Sequence, residues 1–172
     1  MNKIIILLLV LLASFSCKKE IKSNIDVSSI EINVEVDRFE QNFFNTTAET
    51  LPALKKEYPY LFPVNNSDSI WLQKINDVEE IKLFKTSQEV FEDFSEQTSE
   101  IEDLFKHIKY YHKNFKEPKI ITLITDLDYE SKVIYADSLL FVALDMYLGK
   151  EQPIYLDFPA YISQNFDKSQ LA

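Results

Sequence analysis

Glycine is nearly absent from this 172-residue chain, with Gly149 its single instance. That excludes a list of chemistries. A phosphate-cradling loop, a dinucleotide fingerprint and a nucleophile elbow each need glycine at several fixed positions. So few glycines also predict long helices joined by side-chain-rich connections. Arginine is as scarce: Arg38 stands alone among 18 basic residues, against 28 acidic ones and a net charge of −10. Nucleic-acid binding needs a basic face with guanidinium forks for phosphate, so no nucleic-acid partner is expected. An acidic body gains nothing from anionic lipid headgroups, so membrane attachment must have another source. There is one cysteine, Cys17, which leaves no partner for an intrachain disulfide.

Apolar residues are plentiful. They make up 46% of the chain and aromatics 13%, enough to bury a core and far from the composition of disorder. The length is that of one domain.

The attachment is written at the start. Met1-Asn2-Lys3 is a short positive region, Ile4 to Leu12 an unbroken apolar run, and Ala13-Ser14-Phe15-Ser16 a mostly small stretch. This is a secretory signal, too short for a permanent membrane span. Cys17 sits where the small residues give way to Lys18-Lys19-Glu20, as in a bacterial lipobox, although Ser14 stands where leucine is usual. Residues 1–16 are therefore expected to be cleaved, and Cys17 to be the lipid-attachment residue, carrying diacylglycerol and an acyl chain such as palmitate. More than one acyl chain gives stable anchoring. Residues 17–29 read as a polar tether. No acidic run follows the cysteine, so a lipid-anchored protein of the cell membrane or outer membrane, facing the periplasm, is expected.

Residues 30–172 read as one α+β domain: a helical N-terminal two-thirds, then a small β-sheet region. Ile30, Ile32, Val34 and Val36 alternate with polar residues, the period of a half-buried strand. Asp37 with Glu40 resembles a capping box opening a helix with Phe39, Phe43 and Phe44. A short helix with Pro52 in its first turn follows, then one capped by Asp68. Val78, Ile81, Phe84 and Phe91 form the next apolar stripe. From about Ser99 a longer helix carries Ile101, Leu104, Phe105, Ile108, Tyr111 and Phe115, ending before Pro118. Lys119 to Thr125 is apolar on both parities, as a central strand would be. Val133-Ile134-Tyr135 and residues 138–148 follow across a polar loop, and residues 153–166 suggest a loop with a short helix.

Candidate chemistry is thin. His107 and His112 lie five apart on one helix, not the four of a zinc-peptidase motif. His112 falls beside the apolar stripe and His107 on the solvent side. Asp126, Asp128 and Glu130 alternate, with Asp137 further on, in the manner of a calcium loop. The sixth-position glycine is missing, however, and the loop follows a strand. Asp126, Asp128, Asp137 and Asp145 could pair as acid and base, but no nucleophile partner is in evidence. The aromatics Tyr58, Tyr60, Phe62 and Trp71 read as core more readily than as a sugar or peptide site. No catalytic residue, metal ligand or cofactor is expected, and the protein is not expected to be an enzyme.

A family resemblance rests on several long words in order. They are Val36-Asp37-Arg38-Phe39-Glu40 with Phe43-Phe44, residues 54–63 (LKKEYPYLFP), 102–111 (EDLFKHIKYY), 118–125 (PKIITLIT), 133–140 (VIYADSLL) and 143–149 (ALDMYLG). From about Val34 to Gln170 the chain resembles the gliding-motility lipoprotein GldB of the Bacteroidetes. The resemblance implies an envelope lipoprotein required for gliding, in a lineage where gliding is tied to type IX secretion. Its partners would be other gliding and secretion proteins of the envelope, besides the membrane itself. It implies no catalytic residues, and only Cys17 carries over as a functional residue. Family members are longer, so the chain is expected to be the N-terminal part of a longer domain. The alternatives are a degenerate zinc-peptidase-like domain, with any metal-binding helix beyond Ala172, or a periplasmic solute- or glycan-binding lipoprotein.

Overall fold

The computed structural model describes residues 25–171. The signal segment, Cys17 and the tether up to residue 24 lie outside the described residues. The domain is α+β, as the patterning predicts, with six α-helices and one mixed four-stranded sheet among the described residues.

The lead-in segment alternates in burial as its sequence does. Val34 is buried, Ile30, Ile32 and Val36 are half-buried, and Glu31, Asn33 and Glu35 are exposed. Yet only Val36–Asp37, β1, is a strand. Alternation reports a buried face, whereas a ladder needs a neighbour, and the adjacent strand reaches only this far along the segment.

Five helices follow: α1 (Phe39–Phe44), α2 (Leu51–Glu57), α3 (Asp68–Ile75), α4 (Val78–Val90) and α5 (Ser95–Tyr111). Pro52 lies in the first turn of α2, where its missing N–H costs nothing. Asp68 is not the cap of α3; it lies within the first turn and pairs with Lys55 at 2.6 Å. The side-chain cap that does form is at α4, where Asp77 accepts from the Glu79 and Glu80 N–H groups. The predicted stripe of α4 is also displaced. Val78 is 75% exposed, and the buried line is Glu80, Leu83 and Ser87. In α5 the buried line is Gln97, Ile101 and Phe105, while Leu104 and Tyr111 face solvent. This helix starts earlier than Ser99, because Asp93 accepts from the Ser95 N–H and hydroxyl and turns the chain there.

The sheet runs β1, β2 (Lys119–Leu123), β4 (Leu139–Ala143), β3 (Val133–Ala136). β2 is parallel to both of its neighbours, and β3 and β4 are antiparallel. As a central strand β2 buries both faces. Ile120 enters a core with Leu83, Phe91, Ile101, Phe105 and Val142, while Ile121 enters an aromatic core with Phe39, Phe43, Tyr58 and Phe62. A final short helix, α6 (Ala160–Ser163), precedes Phe166, which is buried in the first core.

Glycine poverty leaves a mark on the backbone. Gly149 has φ +111°, a conformation that L side chains rarely adopt. Among the described residues, four other left-handed positions fall on Asp126, Leu127, Asp137 and Ser138. Asp137 and Ser138 join β3 to β4 as a two-residue hairpin turn with both φ angles positive, the twist that antiparallel strands favour.

Candidate functional site

The segment after β1 concentrates the polar chemistry of the domain. Arg38 Nε donates to Glu40 Oε1 at 2.6 Å, and Nη1 donates to the Phe91 carbonyl at 3.0 Å. Its guanidinium lies 5.5 Å from the centroid of the Phe94 ring, a cation–π contact. Glu40 is 1% exposed, and its second oxygen accepts from the Thr122 hydroxyl at 2.6 Å. Asp37 accepts from the Tyr58 hydroxyl at 2.9 Å and pairs with Lys119 at 3.1 Å. Lys119 also meets Glu35 at 2.7 Å. Burial, reinforced by Asp37, pushes the Tyr58 hydroxyl up to about 12. The Glu35 hydrogen bond, with Asp37, holds the Lys119 ammonium well above its ordinary range.

The capping box is therefore corrected. No side-chain hydrogen bond caps α1. Asp37 turns instead to Tyr58 and Lys119, and Glu40 to the neighbouring Arg38 and the distant Thr122, because a buried carboxylate is better held by a cation than by a helix end. The lone arginine is the hub that ties β1, α1 and the end of α4 together. Sealed this way, Glu40 presents no face to a substrate.

A second carboxylate, Asp145, follows β4 and is fully buried. Among the described residues no cation is in hydrogen-bond contact with it. Its oxygens accept from the Thr125 N–H at 3.1 Å, the Thr125 hydroxyl at 3.2 Å and the Leu127 N–H at 2.7 Å. Burial pushes its carboxyl upward, against the pull of those donors. The bonds hold Asp126 and Leu127 in their left-handed turn. The backbone carbonyl of Asp145 takes the Tyr155 hydroxyl, which in turn accepts from the Leu148 N–H at 3.0 Å.

The four aspartates do not gather into one site through their hydrogen bonds. Asp128 caps its own turn by accepting from the Glu130 N–H at 3.1 Å, and Asp137 is in the hairpin turn. The histidines exchange the places expected of them. His112 is exposed at the end of α5, and His107 is half-buried with Nδ1 2.8 Å from the Asp103 carbonyl oxygen. Of the aromatics, Tyr58 and Phe62 are core residues, Trp71 is half-buried and Tyr60 is 47% exposed.

The profile of the gliding motility protein GldB family matches residues 20–172, nearly the whole chain. The chain belongs to the GldB family. Neither a curated protein nor a solved structure matches it. The family is one of gliding-motility lipoproteins and not a known enzyme family, and a lipoprotein is associated with a membrane. Among the described residues no helix is long and apolar enough to cross one.

Within this GldB-family domain, Arg38 and Glu40 belong to the segment that carries the resemblance, but their pairing was not read from the sequence. The available signal was a lone arginine between two carboxylates in an otherwise lysine-based chain. Asp145 offered another, as a charge inside the apolar run from Ala143 to Leu148. Cys17, the one functional residue expected from the sequence, lies outside the described residues.

Proposed function

We propose that this GldB-family protein is a Cys17-anchored lipoprotein that works at the cell envelope in gliding, together with the type IX secretion machinery. It acts through protein contacts and not through catalysis. The family match over residues 20–172 carries this reading. Two further features support it. The polar clusters around Glu40 and Asp145 are buried and spent on holding the fold. The start of the chain joins a signal segment to a single cysteine at the cleavage junction. Residues 17–29 then serve as tether and residues 30–172 as the working domain, which faces the periplasm.

The test is colony spreading and secretion of type IX cargo in a deletion strain, complemented with wild type or with Cys17→Ala. The expected result is loss of both activities, restored by wild type and not by the cysteine variant. Normal spreading after deletion would overturn the motility role. Full complementation by Cys17→Ala would overturn the role of the anchor.

A further inference from the structure

The sheet ends on an open edge. β3 lies outermost, with β4 its one ladder partner among the described residues. The Ala143 N–H donates to the Lys132 carbonyl at 2.9 Å, which fixes the phase of that ladder. Ile134 and Ala136 turn their backbone groups toward β4, so Val133 and Tyr135 turn theirs to the free edge. The side chains are uncovered as well: Val133 and Ile134 are each 44% exposed, and Tyr135 is 63% exposed. Edges of native sheets are ordinarily blunted by a charge, a proline or a bulge. Val133-Ile134-Tyr135-Ala136 has none of these and is protected only by being short. On one face the apolar surface continues inward. Ile134 is opposite Phe141 in the ladder, and the Tyr60 ring lies 5.9 Å from that of Phe141.

This edge is complementary to itself. In an antiparallel copy related by a two-fold axis at Ile134, Val133 stands opposite the partner's Tyr135, and Tyr135 opposite the partner's Val133. These are the residues whose backbone groups face outward, so each pair exchanges both of its N–H···O bonds. Each valine then meets a tyrosine ring, a favourable cross-strand pair, and the strip of Tyr60, Phe141 and Ile134 continues across the axis. An axis at Tyr135 would instead set Val133 against Asp137, which belongs to the hairpin turn and not to the strand. Charge fits too. Lys132 precedes β3 and Asp137 follows it, and neither has an ion-pair partner among the described residues. Antiparallel pairing brings each Lys132 beside the partner's Asp137, whereas a parallel copy would set like charges side by side.

We propose that β3 pairs antiparallel with the β3 of a second copy of this chain, continuing the sheet across a two-fold axis at Ile134. An edge of 4 residues buries less than the roughly 1,200 Å² that a stable interface needs, so the pair is weak and reversible. The contact does not depend on the motility role, and its failure would leave that role untouched.

Disulfide trapping tests the pairing, in membranes from cells that make the full chain, with a mild oxidant added and the wild-type chain as the blank. Two Ile134 Cα atoms facing across the axis would lie about 4.5 Å apart, within reach of a disulfide. Two Val133 or two Tyr135 Cα atoms would lie about 8 Å apart, beyond that reach. Ile134→Cys should therefore give a covalent dimer on a non-reducing gel, and Val133→Cys or Tyr135→Cys should not. Adding Tyr135→Pro to the Ile134→Cys chain removes an N–H from the free edge and leaves the β4 ladder intact, so the dimer should be lost. Adding Lys132→Glu instead, which alters no backbone group, should lower the dimer yield roughly two- to tenfold. That variant decides the matter if the proline variant does not fold. No dimer from Ile134→Cys, equal dimer from all three cysteine variants, or a dimer that survives both Tyr135→Pro and Lys132→Glu overturns the proposal. A mixed disulfide between Ile134→Cys and a different protein also overturns it, and names a foreign strand as the occupant of the edge.

Discussion

Around Thr122 a buried carboxylate meets a guanidinium; a little further along the chain, around Thr125, another meets only N–H and O–H donors. Glu40 sits opposite Arg38, within a ring of Gln88 and Thr122. Asp145 has no such partner and leans on two backbone N–H groups and one hydroxyl. The first arrangement ties distant segments together, since Arg38 also holds the Phe91 carbonyl at the end of α4. The second joins the end of β4 to the segment after β2 and pins a left-handed turn. A cation offsets desolvation in a way that dipoles do only in part, which is why burial still pushes the Asp145 carboxyl upward.

The largest test of this contrast is at Glu40. Glu40→Ala should lower the unfolding free energy by about 3–5 kcal/mol, because it strands a largely buried guanidinium. Urea unfolding measures the loss. A double variant with Arg38→Ala should cost less than the sum of the single ones, with a coupling of about 1 kcal/mol or more. Strict additivity would mean that the two groups do not act as a pair.

Asp145→Ala should cost somewhat less, about 2–3 kcal/mol, because it orphans the Thr125 and Leu127 N–H groups but leaves no stranded charge. Amide exchange at Leu127 should then approach that of an unprotected loop. A cost equal to that at Glu40, with Leu127 still protected, would erase the distinction between the two carboxylates.

Acidity separates them more finely. The folded-state pKa of Asp145 lies above its ordinary value of 3.8, so between the two the folded chain holds the extra proton. Its contribution to stability therefore grows as pH falls through the folded pKa, is complete below the unfolded one, and is lost as pH rises. Asp145→Asn removes this titration. The stability of wild type relative to Asp145→Asn should rise on going from pH 7 toward pH 4. A relative stability that falls over that range would show that the donors lower this carboxyl more than burial raises it. The smallest expected effect is at the hairpin between β3 and β4. Ser138→Gly should stabilise by about 0.5–1 kcal/mol, the left-handed penalty relieved less the entropy of glycine, read as a raised thermal midpoint.

The outline of the fold was legible where local pattern and burial agree. Lys119 to Leu123 is apolar on both parities and lies between two parallel neighbours. Residues 30–36 were legible as a face but not as a ladder, since hydrogen-bond pairing depends on how far β2 extends beside them. The stripe through Val78 misled because α4 spends its inward positions on Glu80 and Ser87, beside the hydrophobic Leu83. A moment read from apolar residues alone has no means of seeing that. The capping box misled for a related reason. Asp37 and Glu40 have the right spacing, but Tyr58, Lys119, Arg38 and Thr122 compete for them and win.

By itself the sequence determined the class of fold, the membership of the GldB family and the chemistries that a chain with one glycine and one arginine cannot perform. These depend on composition, periodicity and ordered words, all of which survive in one dimension. Which carboxylate meets which donor, and why Arg38 stands where it does, were decided only by the tertiary structure. Each depends on segments tens of residues apart in the chain that approach within hydrogen-bond or van der Waals distance, and no local pattern records that approach.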